Sequence, residues 1–382
     1  MNAIYFDHNA TTRPDPEVVA AMTKCLLEGW GNPSSSHARG VQAKAALNQA
    51  RAQVAALLGA KPAEIVFTSG ASESNHAAII GALGAQEGKR HIVTSAVEHP
   101  STLRLLAQLE GQGVRVTYLE VDAQGQLDAA RIEAALTPQT ALLSLMWANN
   151  ETGVLFPVAE AAAIASARGV LFHTDAVQAI GKVDVDLQRV PVDLLSASAH
   201  KLHGPPGVGA LFVRKALALR PLIHGHQERN RRGGSENLAG IVGFGVAAEQ
   251  LAANWRAAVP AMRTLRERFE QGLLQLPMAQ VNAAPAPRLC NTSNFHVAGL
   301  HSEVLLHHLD QQGVCASSGS ACTAGGTEPS HVLTAMGQGA QTALAAVRLS
   351  FGRDNTVAEV DHVLALLTRI VASGGGVLAE AA

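Results

Sequence analysis

Between residues 64 and 213 short apolar runs alternate with segments of helical spacing, and this alternation limits the possible folds more than any other feature of the chain. The runs occupy 64–68, 91–97, 114–121, 140–147 and 170–173. The stretch 194–213, LLSASAHKLHGPPGVGALFV, then reads as strand, tight turn, strand. Most of these runs are continuously apolar, and helical segments separate them, at 71–80, 101–110, 129–136 and 157–167. Strands of that kind are covered on both faces, so the expectation is a mainly parallel sheet with its functional loops at the strand ends.

The flanking regions differ in texture. A short strand at 3–6 is followed by a polar loop, then Asp15 and Pro16 as N-cap and first residue of a helix, with Val18, Val19, Met22 and Leu26 at helical spacing. A second, alanine-rich helix at 37–58 ends at Gly59. Beyond Arg214 comes the glycine-rich basic loop GHQERNRRGGSEN, a helix at 241–253, a linker near Pro260, and helical spacing at 262–274. The last region carries strands at 293–297 and 346–351, a helix at 303–312 and the loop SSGSACTAGG. The chain's 382 residues, 47% of them hydrophobic, suffice for two or three packed domains.

A formal net charge of -2 with 16% charged residues leaves no basic surplus for nucleic acid. No apolar run approaches the roughly 20 residues of a membrane span, and MNAIYFDHNATT lacks signal-peptide character, so a cytoplasmic location is expected. Cys25, Cys290, Cys315 and Cys322 show no CxxC pairing, which favours reduced thiols.

Several reactive side chains fall where strands end. Each alone has an ordinary explanation: Lys201 as a solvated strand terminus, Asp175 as a helix N-cap, Gln178 near the same helix start as a surface amide, His99 as a capping residue. Together they suit one cofactor, pyridoxal phosphate, which needs an amine, a carboxylate for its pyridinium nitrogen, a donor near its phenolic oxygen and a phosphate cradle. Lys201, Asp175 and Gln178 supply the first three, and the turn Gly70-Ala71-Ser72 at a helix start is a candidate cradle. Cys322 sits in a loop too small and polar to bury a thiol, which makes it a candidate nucleophile; Cys25 and Cys315 read as core. Arg353, after VRLSFG, is a candidate clamp for a substrate carboxylate, with a surface ion pair as the alternative. His224 with His226, and His301 with His307 and His308, lack the partners and spacing of a metal site, so no metal site of the protein's own is expected.

The ordered set DHNATT, GNPSS, TSGASES, VEHP, WANNETG, HTDAVQ, SAHKLHGP, QERNRRGGSEN, SSGSACT and EPSHVL resembles the cysteine desulfurases, most closely the NifS type associated with nitrogenase iron–sulfur assembly. The resemblance runs from near Tyr5 to about Arg353. It implies the fold-type I pyridoxal phosphate fold of class V aminotransferases: a large domain with a mainly parallel seven-stranded sheet at 15–258, a smaller α+β domain from 1–14 and 259–382, and a homodimer. It also implies roles. Lys201 is the Schiff-base lysine and His99 stacks on the ring. Asp175 meets the pyridinium nitrogen and Gln178 the phenolic oxygen. Ser72, Ser198 and His200 contact the phosphate, and Ser235 reaches it from the neighbouring subunit. Asn150 and Arg353 bind substrate, and Cys322 accepts sulfur and would meet a cluster or sulfur during transfer.

Some positions depart from the family pattern. Ser72 and Ser235 stand for threonine, keeping the hydroxyl but losing the methyl that restricts its rotamer. His76 stands for asparagine, Ala199 for glycine and Pro206 for lysine, and none of these removes a catalytic group. The activity implied is removal of sulfur from L-cysteine to give L-alanine and a persulfide on Cys322, passed to an iron–sulfur scaffold or another acceptor protein. The rival readings are a selenocysteine lyase or aminotransferase of the same fold and, from a different class, a non-catalytic partner of an assembly scaffold.

Overall fold

A computed structural model describes residues 3–318 and 328–374. In chain order its strands are β1 (Ile4–Tyr5), β2 (Ile65–Thr68), β3 (His91–Ser95), β4 (Arg115–Leu119), β5 (Thr140–Met146), β6 (Leu171–Asp175), β7 (Leu194–Ser198) and β8 (Gly209–Val213), followed by β9 (Ala279–Val281), β10 (Thr292–Val297), β11 (Val314–Cys315), β12 (Ser317–Ser318) and β13 (Val347–Ser350). Seven of them form one sheet in the order β2-β8-β7-β6-β5-β3-β4. Pairings from β7 through β4 are parallel, while β8 runs antiparallel to both β7 and β2. The expected mainly parallel seven-stranded sheet is therefore present, with one reversed strand made by the turn after Ser198.

Both faces of this sheet are covered, and successive residues along a strand serve opposite cores. Val93, Leu143 and Leu195 pack into the core that includes the helices Ala38–Leu58 and Leu238–Leu273. Their neighbours Ile92, Leu142 and Leu194 pack against the helices Ala71–Ala85 and Pro100–Glu110. With apolar side chains needed on both sides, no polar–apolar alternation survives in the sequence, which is why these strands read as continuous runs.

A third core surrounds the antiparallel sheet β12-β13-β10-β9, with Phe6, Phe269, Phe295 and Phe351 at its centre. The helix Leu238–Leu273 joins the cores, giving Phe244 and Ala248 to the first and Leu265, Phe269 and Leu273 to the third. The linker expected near Pro260 is absent: Pro260 lies inside this 36-residue helix, on its exposed side. A proline costs one intrahelical hydrogen bond and a local clash, and packing on both sides of it outweighs that local preference. No helix among the described residues is long and apolar enough to cross a membrane.

Candidate active site

A cavity of about 490 Å³ lies at the C-terminal ends of β5, β6 and β7, whose last residues Met146, Asp175 and Ser198 line it. Parallel strands end together there, so their loops and the helix starts that follow converge on one crevice. At the end of β7 the chain makes a 3-10 turn over Ala199–Lys201, closed by bonds from Leu202 N and Gly204 N to the Ala199 carbonyl. That turn directs Lys201 into the cavity, where its Nζ donates to the carbonyls of Asn9 at 2.5 Å and Ala10 at 2.6 Å.

Asp175 lines the same cavity and is only 8% exposed. Its Oδ2 accepts from Asn75 Nδ2 at 2.8 Å and its Oδ1 from the Val177 N–H at 3.0 Å. The helix expected after β6 is a turn, so Asp175 caps that turn instead of a helix. Among the described residues it forms no ion pair. A buried carboxylate without a cation is costly, and this one fits a cationic ring nitrogen entering the cavity.

His99 caps the helix Pro100–Glu110. Its Nδ1 accepts from the Ser101 N–H at 3.2 Å and lies 2.8 Å from Ser101 Oγ, which leaves the ring proton of the neutral imidazole on Nε2. Burial lowers its pKa, Asp175 opposes that, and the Lys201 and His331 charges reinforce it. The imidazole facing the cavity is therefore neutral. Beside it, the fully buried Glu98 carboxyl is pushed up to about 8 by desolvation, while bonds from Ser95 Oγ and the Met146 N–H work in the other direction.

The turn Gly70-Ala71-Ser72 lines the cavity at the start of the helix Ala71–Ala85, whose first N–H groups have no intrahelical acceptor. This turn crosses very close to β8: a Cβ on Gly209 would lie 2.7 Å from the Gly70 backbone, so glycine at 209 permits the approach. Ser72 is exposed and Ser198 buried on the same cavity. His200 also lines it, its Nδ1 3.1 Å from Thr11 Oγ1 and its pKa lowered to about 4 by burial and then by Lys201. Gln178 lines it too, its Nε2 donating to the Asn9 carbonyl at 2.9 Å.

The residues expected for substrate separate. Asn150 lines the cavity, but Arg353 does not. Arg353 pairs with Asp15 and lines a neighbouring pocket of about 50 Å³ behind Lys201, with His8, Lys182 and His203. Asp15, expected as an N-cap, makes no side-chain cap bond and takes that pair instead. The arginine on the cavity is Arg348 of β13. Its Nη2 meets Asp7 Oδ1 at 2.6 Å, its Nη1 donates to the Asn150 carbonyl at 3.1 Å, and its Nε has no partner among the described residues.

Ser235 lies outside the cavity, exposed beside a depression that shares Ser69 and Gly207 with the cavity rim. Cys322 lies outside the described residues. Of the other thiols, Cys25 and Cys290 are buried and Cys315 is half-buried.

Sequence reading missed Asn9, Asn75, Glu98 and Arg348. Arg348 had a signal, a charge inside the apolar strand VRLS, where only a buried partner or a ligand accounts for it. Asn9 had none: its backbone nitrogen, both side-chain ends and carbonyl bond to Ser350, Asn150, Thr292, Asn291, Gln178 and Lys201, all brought to it by the fold.

A family model described as aminotransferase class-V matches residues 4–363, and the chain belongs to that family. Cysteine desulfurase 2 of Trichormus variabilis is 51% identical to it over 373 residues, covering 97% of this chain and 94% of the relative. The cysteine desulfurase of Gluconacetobacter diazotrophicus is 51% identical over 376 residues, with coverage of 97% and 94%. Among solved structures, a NifS-like protein aligns with a TM-score of 0.91 at 36% identity, covering 97% of this chain and 100% of the other. SspA, solved in complex with cysteine, aligns at 0.82 and 36%, covering 92% and 100%. The protein is thus an enzyme of the cysteine desulfurase type, as the sequence motifs implied.

Proposed function

We propose that the 490 Å³ cavity holds pyridoxal phosphate and that the protein uses it to take sulfur from L-cysteine. The observation carrying this reading is the meeting of Lys201 and the buried, cation-free Asp175 on one cavity, with a helix N-terminus on the same rim. Bound there, the cofactor supplies an electron sink that acidifies the Cα–H of an amino acid joined to it.

In this reading the Lys201 amine would hold the cofactor and would move the proton at the substrate Cα. Asp175 keeps the ring nitrogen protonated, Gln178 donates to the phenolic oxygen, and the neutral His99 imidazole covers the ring and assists proton movement. Ser72, Ser198 and His200 hold the phosphate. Ser235 completes that site from a second copy of the chain, so the enzyme is a homodimer. Asn150 and Arg348 receive the substrate, and the Arg348 guanidinium beside Asn150 replaces Arg353 as the proposed carboxylate clamp.

The Cys322 thiolate then bonds the substrate sulfur as the Cβ–S bond breaks. Cβ takes a proton, L-alanine leaves, and Cys322 keeps the sulfur as a persulfide for an acceptor protein of iron–sulfur cluster assembly. The separate apolar core around β10 and β13 supports a further part of the proposal, that a smaller domain carries Cys322 against the larger cofactor-holding one.

The test is a Cys322→Ala variant given L-cysteine. Loss of protein-bound persulfide together with a fall in alanine release is expected. Undiminished sulfur release by that variant contradicts the persulfide route and favours a lyase of the same fold.

A further inference from the structure

Behind Gln178 the chain turns sharply. Gly181 takes φ 79°, a left-handed conformation that calls for glycine. The turn returns Lys182 beneath Gln178, where its Nζ donates to the Gln178 side-chain Oε1 at 3.3 Å and to the Gln178 carbonyl at 3.2 Å. An ammonium has only donors and a carbonyl only acceptors, so the two hydrogen bonds of the Gln178 amide settle its orientation. Oε1 faces Lys182, and Nε2 faces the Asn9 carbonyl. The second Nε2 hydrogen is then left for the cavity that Gln178 lines. Flipping the amide would set an N–H against the ammonium and an oxygen against the Asn9 carbonyl, both repulsive.

We propose that Lys182 is a positioning residue that locks the Gln178 amide with its N–H toward the cofactor's phenolic oxygen. The inference rests on the pyridoxal phosphate reading above and adds a second lysine that touches neither cofactor nor substrate. Other charged or titratable groups face it as well: the Cys290 thiol, His8 and Arg348, with Lys201, His203 and Arg353 on the same pocket. Burial lowers the Lys182 pKa to about 8, so the lock has its full charge only below that pH.

The test is spectroscopic. The full-length protein is loaded with pyridoxal phosphate and its visible band is titrated with pH in wild type, Lys182→Met, Gln178→Ala and the double variant. A donor on the phenolic oxygen draws off electron density and favours loss of the neighbouring proton, so losing the donor raises the midpoint. Lys182→Met is expected to raise it by about half a unit or more, and to add nothing in the Gln178→Ala background. An unmoved midpoint in Lys182→Met, or an equal shift in both backgrounds, overturns the inference while leaving the cofactor reading intact. A wild type that acquires no visible band overturns the cofactor reading and this inference with it. If Lys182→Met does not fold, Lys182→Ser decides. Its side chain is too short to donate to Oε1, so a raised midpoint supports the lock, and a wild-type midpoint overturns it.

Discussion

Lys201 stands between two compartments of opposite character. The cavity in front is large and ends on Asp175, a buried carboxylate with no cation among the described residues. The pocket behind is about a tenth of that volume, at about 50 Å³ against 490 Å³, and its arginine is already paired with Asp15. The front therefore offers a buried carboxylate and room for a ligand, whereas the rear has little room and an arginine that is already paired. The difference assigns the chemistry to one side of the lysine, and it assigns the two arginines five residues apart to different tasks.

The largest expected effect is on the shared wall. Lys201→Ala should lower alanine release from L-cysteine by about a thousandfold or more, since it removes the group proposed to bond cofactor and move the proton. The next separates the compartments. Arg348→Gln should raise the KM for L-cysteine by on the order of 100-fold, the scale of removing one charged hydrogen bond from a buried site. Arg353→Gln should change it less than about threefold and cost below about 1 kcal/mol in stability, as its side chain is 31% exposed. A larger KM effect from Arg353→Gln than from Arg348→Gln would reverse the assignment.

Two buried groups, one beside each compartment, should also titrate with opposite sign. In the rear, burial lowers the His8 pKa to about 4 from 6.5, so the unfolded chain binds the extra proton between those values. His8 thus contributes stability that is present above pH 6.5 and is lost as pH falls toward 4. Next to His99, buried outside the cavity lining, Glu98 is raised to about 8 from 4.5, so the folded chain holds the extra proton and stability falls as pH rises across that window. Urea midpoints against pH should show His8→Asn flattening the acid limb and Glu98→Gln the limb above pH 4.5, each by about 1–3 kcal/mol. The smallest effect is at the rim: Ser72→Thr, which restores the family's residue, should tighten pyridoxal phosphate binding about two- to fivefold through a more restricted hydroxyl.

What could be read from the sequence was set by locality. Lys201, Asp175 and Ser198 end apolar runs, and a run's end is visible in the chain itself. Arg348 against Arg353 was only partly readable: a charge inside the apolar run VRLS called for a partner or a ligand, but the choice between the two arginines depends on Asp7 and Asp15 from the other end of the chain. Pro260 misled because a local helix-breaker was overruled by cores packed on either side of it. The stripe Val18, Val19, Met22, Leu26 gave the helix but not its buried face: Val18 is buried, while Val19 and Leu26 are 50% and 63% exposed. What locality could not supply, a reason to bring Lys201 and Asp175 together, came from the needs of a single cofactor, and the motif-level likeness to the cysteine desulfurases agreed with it.

The most direct test of the account is to load the purified protein with pyridoxal phosphate, supply L-cysteine with a thiol reductant, and count products. Alanine and sulfide released in equal amounts over many turnovers is the predicted result. A protein that binds the cofactor yet yields neither would contradict the account.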